Sequence, residues 1–184
     1  YTVALAERNP GFNYIGVDIK GARLFNGAKA AKDKGLKNVG FLRTNIEIIE
    51  QFFGAEEIAE IWLTFPDPQM KKTTKRLTST MFLNRYKWFL KKDGIVHLKT
   101  DSNFQYTYTH ALVYINKFEV LAETDNLYES EILSETLQIK TFYEKQWLSR
   151  GITIKYIAFK ISDKVYLEPE IDIEPDEYRS FGRS

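Results

Sequence analysis

The chain has 184 residues and a mass of 21.5 kDa, enough for one globular domain with a sizeable core and marginal for two. It is 43% hydrophobic and 28% charged, and 26 Lys and Arg against 25 Asp and Glu leave a net charge of +1, which excludes a disordered polyelectrolyte. With no cysteine, disulfides, thiolate zinc sites and cysteine nucleophiles are excluded, and His97 and His110 alone cannot build a His-rich metal site.

Taken in chain order, Thr2 to Arg8 reads as a helix stopped by Asn9-Pro10-Gly11. Asn13 to Ile19 is a short β-rich run with Asp18 near its end, and Ala22 to Lys34 has helical composition and closes at Gly35. Val39 to Leu42 is the next strand, and Ile46 to Phe53 carries apolar residues at helical spacing. Glu60 to Phe65 is a strand that runs into Pro66-Asp67-Pro68. Thr78 to Lys92 reads as an amphipathic helix with Met81, Phe82, Arg85, Tyr86 and Phe89 near one side, ending before a turn at Asp93-Gly94. Ile95 to Lys99 is a buried strand with Asp101 beyond it, Phe104 to Ile115 a helix, and Phe118 to Ala122 and Ile152 to Ile161 further strands. Between the last two, Thr124 to Arg150 is long and polar until it turns helical near Thr141, the pattern of a functional insertion. Trp62, Trp88, Trp147 and His97 are expected in the core, and Lys99 packed or snorkelling.

Repeated strand–helix units predict an α/β fold with a mostly parallel central sheet and helices on both faces. The strand and glycine-rich turn that should precede Thr2 are missing from the sequence, so residues 1–162 read as a single N-terminally incomplete domain. Residues 163–184 read as an acidic arm, in which seven acids face Lys164, Arg179 and Arg183. The rest of the chain is correspondingly basic. Seven basic residues lie between Lys20 and Arg43, and Lys71, Lys72, Lys75 and Arg76 form a second cluster suited to phosphates. No apolar run is long enough to span a bilayer and no secretory prefix is present, so a cytoplasmic protein is expected, with no membrane and no metal partner.

In an open parallel sheet, ligands sit beyond the carboxyl ends of the strands. That rule selects Asp18, Asn45, Asp67 and Asp101. A carboxylate at Asp18 suits the two hydroxyls of a ribose. The prolines bracketing Asp67 restrict the backbone on both sides and aim its carboxylate beside a run of cations.

These segments resemble the bacterial tRNA (guanine-N7-)-methyltransferases, class I enzymes dependent on S-adenosylmethionine with a Rossmann-like fold. The resemblance is carried by Asn9-Pro10, Asn13 to Asp18, Phe65 to Pro68 with Lys71-Lys72 and Lys75 to Thr78, Phe82-Leu83, Gly94, His97 to Asp101, Thr141 to Glu144 and Gly151, and it covers residues 2–161. It implies that Asp18 binds the cofactor ribose, Asn45 lies at the adenine, and Asp67 is the acid at the methyl-transfer site and also contacts the cofactor. It further implies that Lys71, Asp101, Thr141, Phe142, Tyr143 and Glu144 contact a tRNA whose variable-loop guanosine is modified, in a monomer or homodimer. The sequence departs from the family pattern at Gln69, where tryptophan is usual, and at Thr73 and Thr74, where a histidine or arginine is expected. Those departures keep a non-catalytic tRNA-binding module as an alternative. A nicotinamide-dependent oxidoreductase is a third reading, one that leaves the Pro-Asp-Pro segment unexplained.

Overall fold

A computed structural model describes residues 1–180; the last four residues of the expected arm lie outside the described residues. The chain divides into two compact units, residues 1–52 with 134–141, and residues 53–133 with 142–184.

The first unit holds α1 (Thr2–Arg8), β1 (Tyr14–Asp18), α2 (Gly21–Asp33) and β2 (Val39–Arg43), with β1 and β2 parallel in the register Asp18↔Arg43. Both helices pack on this two-stranded ribbon. The turn after α1 is stitched by Asn38, whose Nδ2 donates to the carbonyls of Ala6, Asn9 and Phe12. Gly35, at φ +66°, ends α2: its N–H and that of Leu36 return to the carbonyls of Lys32 and Ala31, an arrangement that favours a residue without Cβ. The helix expected over 46–53 is a 3₁₀ segment, Ile46–Gln51, with Ile48 at non-helical angles. Six residues in that strained form present Ile49 alone to the core.

The second unit contains β3 (Ile58–Thr64), α3 (Thr80–Phe89), β4 (Leu90–Thr100), α4 (Asn103–Ile115), β5 (Glu119–Thr124), α5 (Phe142–Ser149), β6 (Lys155–Lys160) and α6 (Glu177–Ser180). Its sheet has the order β3-β4-β6-β5, parallel between β3 and β4 and antiparallel on either side of β6. Interior position explains why Lys155–Phe159 are buried without alternation. The turn expected at Asp93-Gly94 is instead a bulge inside β4. Ile58 pairs with Leu90 and Glu60 with Ile95, so residues 91–94 loop out, with Asp93 at φ +61°. A Cβ on Gly94 would stand 2.5 Å from Leu90 Cγ, which fixes glycine there.

The core of this unit is formed by Phe82, Leu83, Tyr86 and Phe89 of α3, Leu112 and Val113 of α4, and the inner strands. Met81, expected on the same side, is exposed, and so is Trp88, at 59%; both lie off the inward stripe of α3. Trp62 stacks on buried His97 with centroids 3.8 Å apart, and the His97 Nδ1 lies 2.7 Å from the Tyr156 hydroxyl, so this histidine packs as expected.

The acidic segment that begins at Asp163 is docked on this unit. Glu168 accepts from the Thr80 N–H at 2.9 Å, capping α3, and Asp176 accepts from the Phe104 N–H at 3.1 Å and from the Ser102 hydroxyl, capping α4. Asp176 is 6% exposed, so its removal orphans two buried donors. Asp176→Ala is expected to destabilise the protein by about 2–3 kcal/mol, a fall of about 5–10 °C in a thermal melt; an unchanged midpoint would show that the capping contact contributes nothing.

Candidate active site

In the first unit the parallel register brings Asp18 and Asn45 past the same carboxyl edge, one at the end of β1 and the other two residues beyond β2. Asp18 accepts the Lys20 N–H at 2.9 Å and faces the Arg23 guanidinium at 3.4 Å, while its side chain stays 26% exposed. Each carboxylate oxygen has two acceptor sites, so hydroxyl donors still find room. Asn45 is exposed and caps the 3₁₀ segment by accepting the Glu47 N–H at 3.1 Å, which leaves its amide donors for a further partner. A vicinal diol and a heteroaromatic base are the chemistry this donor set fits. Thr141 also lies in this unit, half-buried.

In the second unit, β3 and β4 pair as Thr64↔Lys99, and the Phe65 N–H donates to the Lys99 carbonyl at 2.8 Å. Asp67 and Asp101 therefore lie beyond the same ends of two adjacent parallel strands. The Asp67 loop is tightly constrained. Phe65 and Gln69 both adopt left-handed backbone, φ +52° and +48°, a conformation costing about 1–3 kcal/mol at a bulky residue, and Pro66 and Pro68 are buried between them. Asp67 itself is half-buried, and its Oδ1 accepts the Gln69 N–H at 3.1 Å.

Arg76, grouped by sequence with the phosphate-binding lysines, does something else. It is 8% exposed, its guanidinium lies 4.7 Å from the Phe104 ring centroid and 4.4 Å from that of Tyr108, and it donates to the Gln69 and Met70 carbonyls at 3.3 and 3.1 Å. Aromatic faces and carbonyls satisfy a charge that burial would otherwise penalise, and the loop behind Asp67 is tied down. Lys71, Lys72 and Lys75 remain exposed.

Asp101 is fully buried. Its Oδ2 and its carbonyl both accept from the Tyr178 hydroxyl, at 3.1 and 2.9 Å. Nearby Lys155 donates to the Thr153 hydroxyl at 2.8 Å; burial lowers its ammonium pKa, against the pull of Asp176, Asp101 and Asp125. Glu144 is also fully buried, 2.7 Å from the Lys99 ammonium. Its neighbours Phe142 and Tyr143 are 71% and 50% exposed, their rings edge to face at 5.6 Å. The expected substrate contacts thus separate into an exposed set, Lys71, Phe142 and Tyr143, and two closed carboxylates, Asp101 and Glu144.

Lys99 packs as the sequence suggests, but its ion pair with Glu144 and the parts of Tyr128 and Tyr178 are not read from the sequence. A lysine inside a β-rich run followed by a strand-end acid was the available signal for the first; the tyrosines had none.

Over its whole length the chain is 57% identical to a tRNA (guanine-N(7)-)-methyltransferase of Bacteroides thetaiotaomicron, covering 73% of that protein, and 56% identical to one of Porphyromonas gingivalis, covering 77%. The chain belongs to the tRNA (guanine-N(7)-)-methyltransferase family. Residues 1–157 also match the family model Methyltransf_4, described as "Putative methyltransferase". Among solved structures, the 16S rRNA methyltransferase KamB superposes with a TM-score of 0.63 at 15% identity, over 88% of this chain and 82% of that one. A geranyl diphosphate methyltransferase in complex with SAM gives 0.52 at 15% identity, over 85% and 72%. The fold is the Rossmann-like class I methyltransferase fold. At position 69, where the family pattern has tryptophan, the glutamine holds the loop through its backbone, its N–H donating to Asp67 and its carbonyl accepting from Arg76.

Proposed function

We propose that this chain transfers a methyl group from S-adenosylmethionine to N7 of a variable-loop guanosine in tRNA, through direct displacement without a covalent enzyme intermediate. The observation that carries the proposal is the 57% identity, over the whole chain, to a tRNA (guanine-N(7)-)-methyltransferase. Asp18 and Asn45 would hold the ribose and adenine, the groups their acceptors and donors fit. The cofactor, when bound, supplies a sulfonium-activated methyl group. Guanine N7 carries an in-plane lone pair, so no proton has to be removed before it attacks, and no nucleophilic side chain is required.

The residues of the second unit then have two tasks. Asp67, held at the end of β3, places negative charge where the purine becomes cationic. Lys71 and the exposed Phe142–Tyr143 pair meet the RNA, the lysine at phosphate and the rings against an unstacked base. Asp101 and Glu144 provide acceptors for the guanine N1–H and N2–H, donors that adenine lacks. Because Asp101 and Glu144 are closed to solvent, that contact requires α5 and the Tyr178 segment to lift as tRNA docks. Residues 1–162 carry this chemistry, and Glu168 and Asp176 of the acidic segment brace it. No helix among the described residues is long and apolar enough to cross a membrane; we place the protein in the cytoplasm, as a monomer or homodimer.

Incubating the full-length protein with unmodified tRNA and labelled S-adenosylmethionine, followed by nuclease digestion and mass spectrometry, is expected to yield 7-methylguanosine from the variable loop. A label on another base or ring atom, or no label, would overturn the proposal. Lys71→Ala is expected to raise the tRNA KM about three- to ten-fold, leave the melting temperature unchanged and reduce the salt slope of binding by about one. An unchanged slope would remove Lys71 from the phosphate contacts.

A further inference from the structure

We infer that Lys99 and Tyr128 are positioning residues that set how Glu144 reads the target base. Lys99, at the carboxyl end of β4, and Glu144, in the first turn of α5, are both fully buried and lie 2.7 Å apart. Tyr128, from the short 3₁₀ turn Leu127–Glu129, donates its hydroxyl to the same Glu144 Oε1 at 2.5 Å. The Lys99 ammonium also lies 3.4 Å from that hydroxyl and 5.6 Å from the centre of the tyrosine ring. Three separate elements thus converge on one oxygen atom.

Stability gives a poor account of such a cluster. Two charges taken out of water regain little more than they lose, and an apolar pair of equal volume would hold the fold as well or better. What the cluster does secure is a carboxylate whose Oε1 meets two donors, Lys99 and Tyr128, so that the group is fixed in a single orientation. With Oε1 held in this way, Oε2 is the oxygen that has to meet the guanine N1–H and N2–H, and a rotated group would lose them. Lys99 and Tyr128 themselves touch no substrate in this scheme; they act through Glu144. The inference rests on the reading of Glu144 as a guanine contact.

The test compares wild-type full-length protein with Y128F, K99Q, E144Q and K99M/E144Q, on tRNA carrying either guanosine or inosine at the target position. Inosine lacks the 2-amino donor, so the guanosine-over-inosine ratio of kcat/KM reports how well the carboxylate is held, a readout that loss of packing alone leaves unchanged. Y128F keeps the ring and is expected to melt close to wild type and to bind S-adenosylhomocysteine equally well. Its tRNA KM should rise about ten-fold, with the guanosine preference falling by a similar factor. K99Q should show a larger change in the same direction, and K99M/E144Q, which leaves no unpaired buried charge, should match E144Q. If E144Q is impaired while Y128F and K99Q keep wild-type KM and preference, the inference is wrong and the Glu144 reading stands. If E144Q itself is unimpaired, the Glu144 reading falls and takes the inference with it. A further ten-fold loss in K99M/E144Q over E144Q would show Lys99 acting elsewhere, and overturns the inference as well. Should K99Q fail to fold, Y128F and the double variant decide the matter.

Discussion

Asp67→Ala is expected to lower kcat for tRNA methylation by about 10²–10³, the usual loss when one preorganised charge is removed from a developing ion. Binding of tRNA should change less than about three-fold, while S-adenosylhomocysteine, which Asp67 is also expected to contact, should bind more weakly. The carboxylate has a second job, though, since its Oδ1 accepts the Gln69 N–H at 3.1 Å and helps to shape the loop. Alanine removes charge and turn together. Asp67→Asn separates them, because the amide oxygen can still accept that N–H while the negative charge is gone. If charge is what the transition state needs, Asp67→Asn is as slow as Asp67→Ala although its melting temperature returns to wild type. If Asp67→Asn instead recovers most of kcat, Asp67 serves the loop and the electrostatic assignment is lost. Single-turnover rates with saturating tRNA make the comparison, since they exclude product release.

How far the sequence carried this picture depends on the range of each interaction. Strand-end positions were legible because hydrophobic runs bounded by Gly, Pro and Asp mark where strands stop; Asp18, Asp67 and Asp101 follow from that alone. The α2 stop at Gly35 was legible because one residue type suits left-handed backbone there. The bulge at Asp93-Gly94 was not, since the same dipeptide marks a turn or a bulge and only the pairing of β3 with both Leu90 and Ile95 decides. Nor could the antiparallel course of β6 be read, because the long polar connection from Thr124 is compatible with either direction. The capping roles of Glu168 and Asp176 were hidden for another reason. Each acts on a helix start more than 70 residues away, so its charge registered only as part of an acidic segment. Charge counting likewise grouped Lys71 with Arg76, although one is exposed and the other lies between two aromatic rings. Composition reports how many cations a segment has; burial decides which of them can meet a phosphate.

That distinction makes Arg76 the position where a brace and a phosphate contact give opposite results. Arg76→Ala removes two hydrogen bonds from a charged donor and two cation–π contacts, and opens space between Phe104 and Tyr108. Charged hydrogen bonds are worth about 1.5–3 kcal/mol and cation–π contacts about 0.5–2, and because they share one group they do not simply add. A destabilisation of about 3–4 kcal/mol is expected, seen as a fall of about 8–12 °C in the thermal midpoint. Well below that midpoint kcat should still fall at least ten-fold, because the carbonyls of Gln69 and Met70 are released and Asp67 loses its fixed aim. The salt slope of tRNA binding should stay that of the wild type. Arg76→Lys keeps the charge and part of the ring contact, but a single ammonium cannot reproduce the planar fork to two carbonyls, so it should recover about half of the stability and little of the rate. A phosphate contact would give the reverse pattern: near-normal melting in both variants, a slope reduced by about one in Arg76→Ala, and near-complete rescue by lysine. Melting curves and salt titrations of the two variants therefore assign the residue without any structure of the RNA complex.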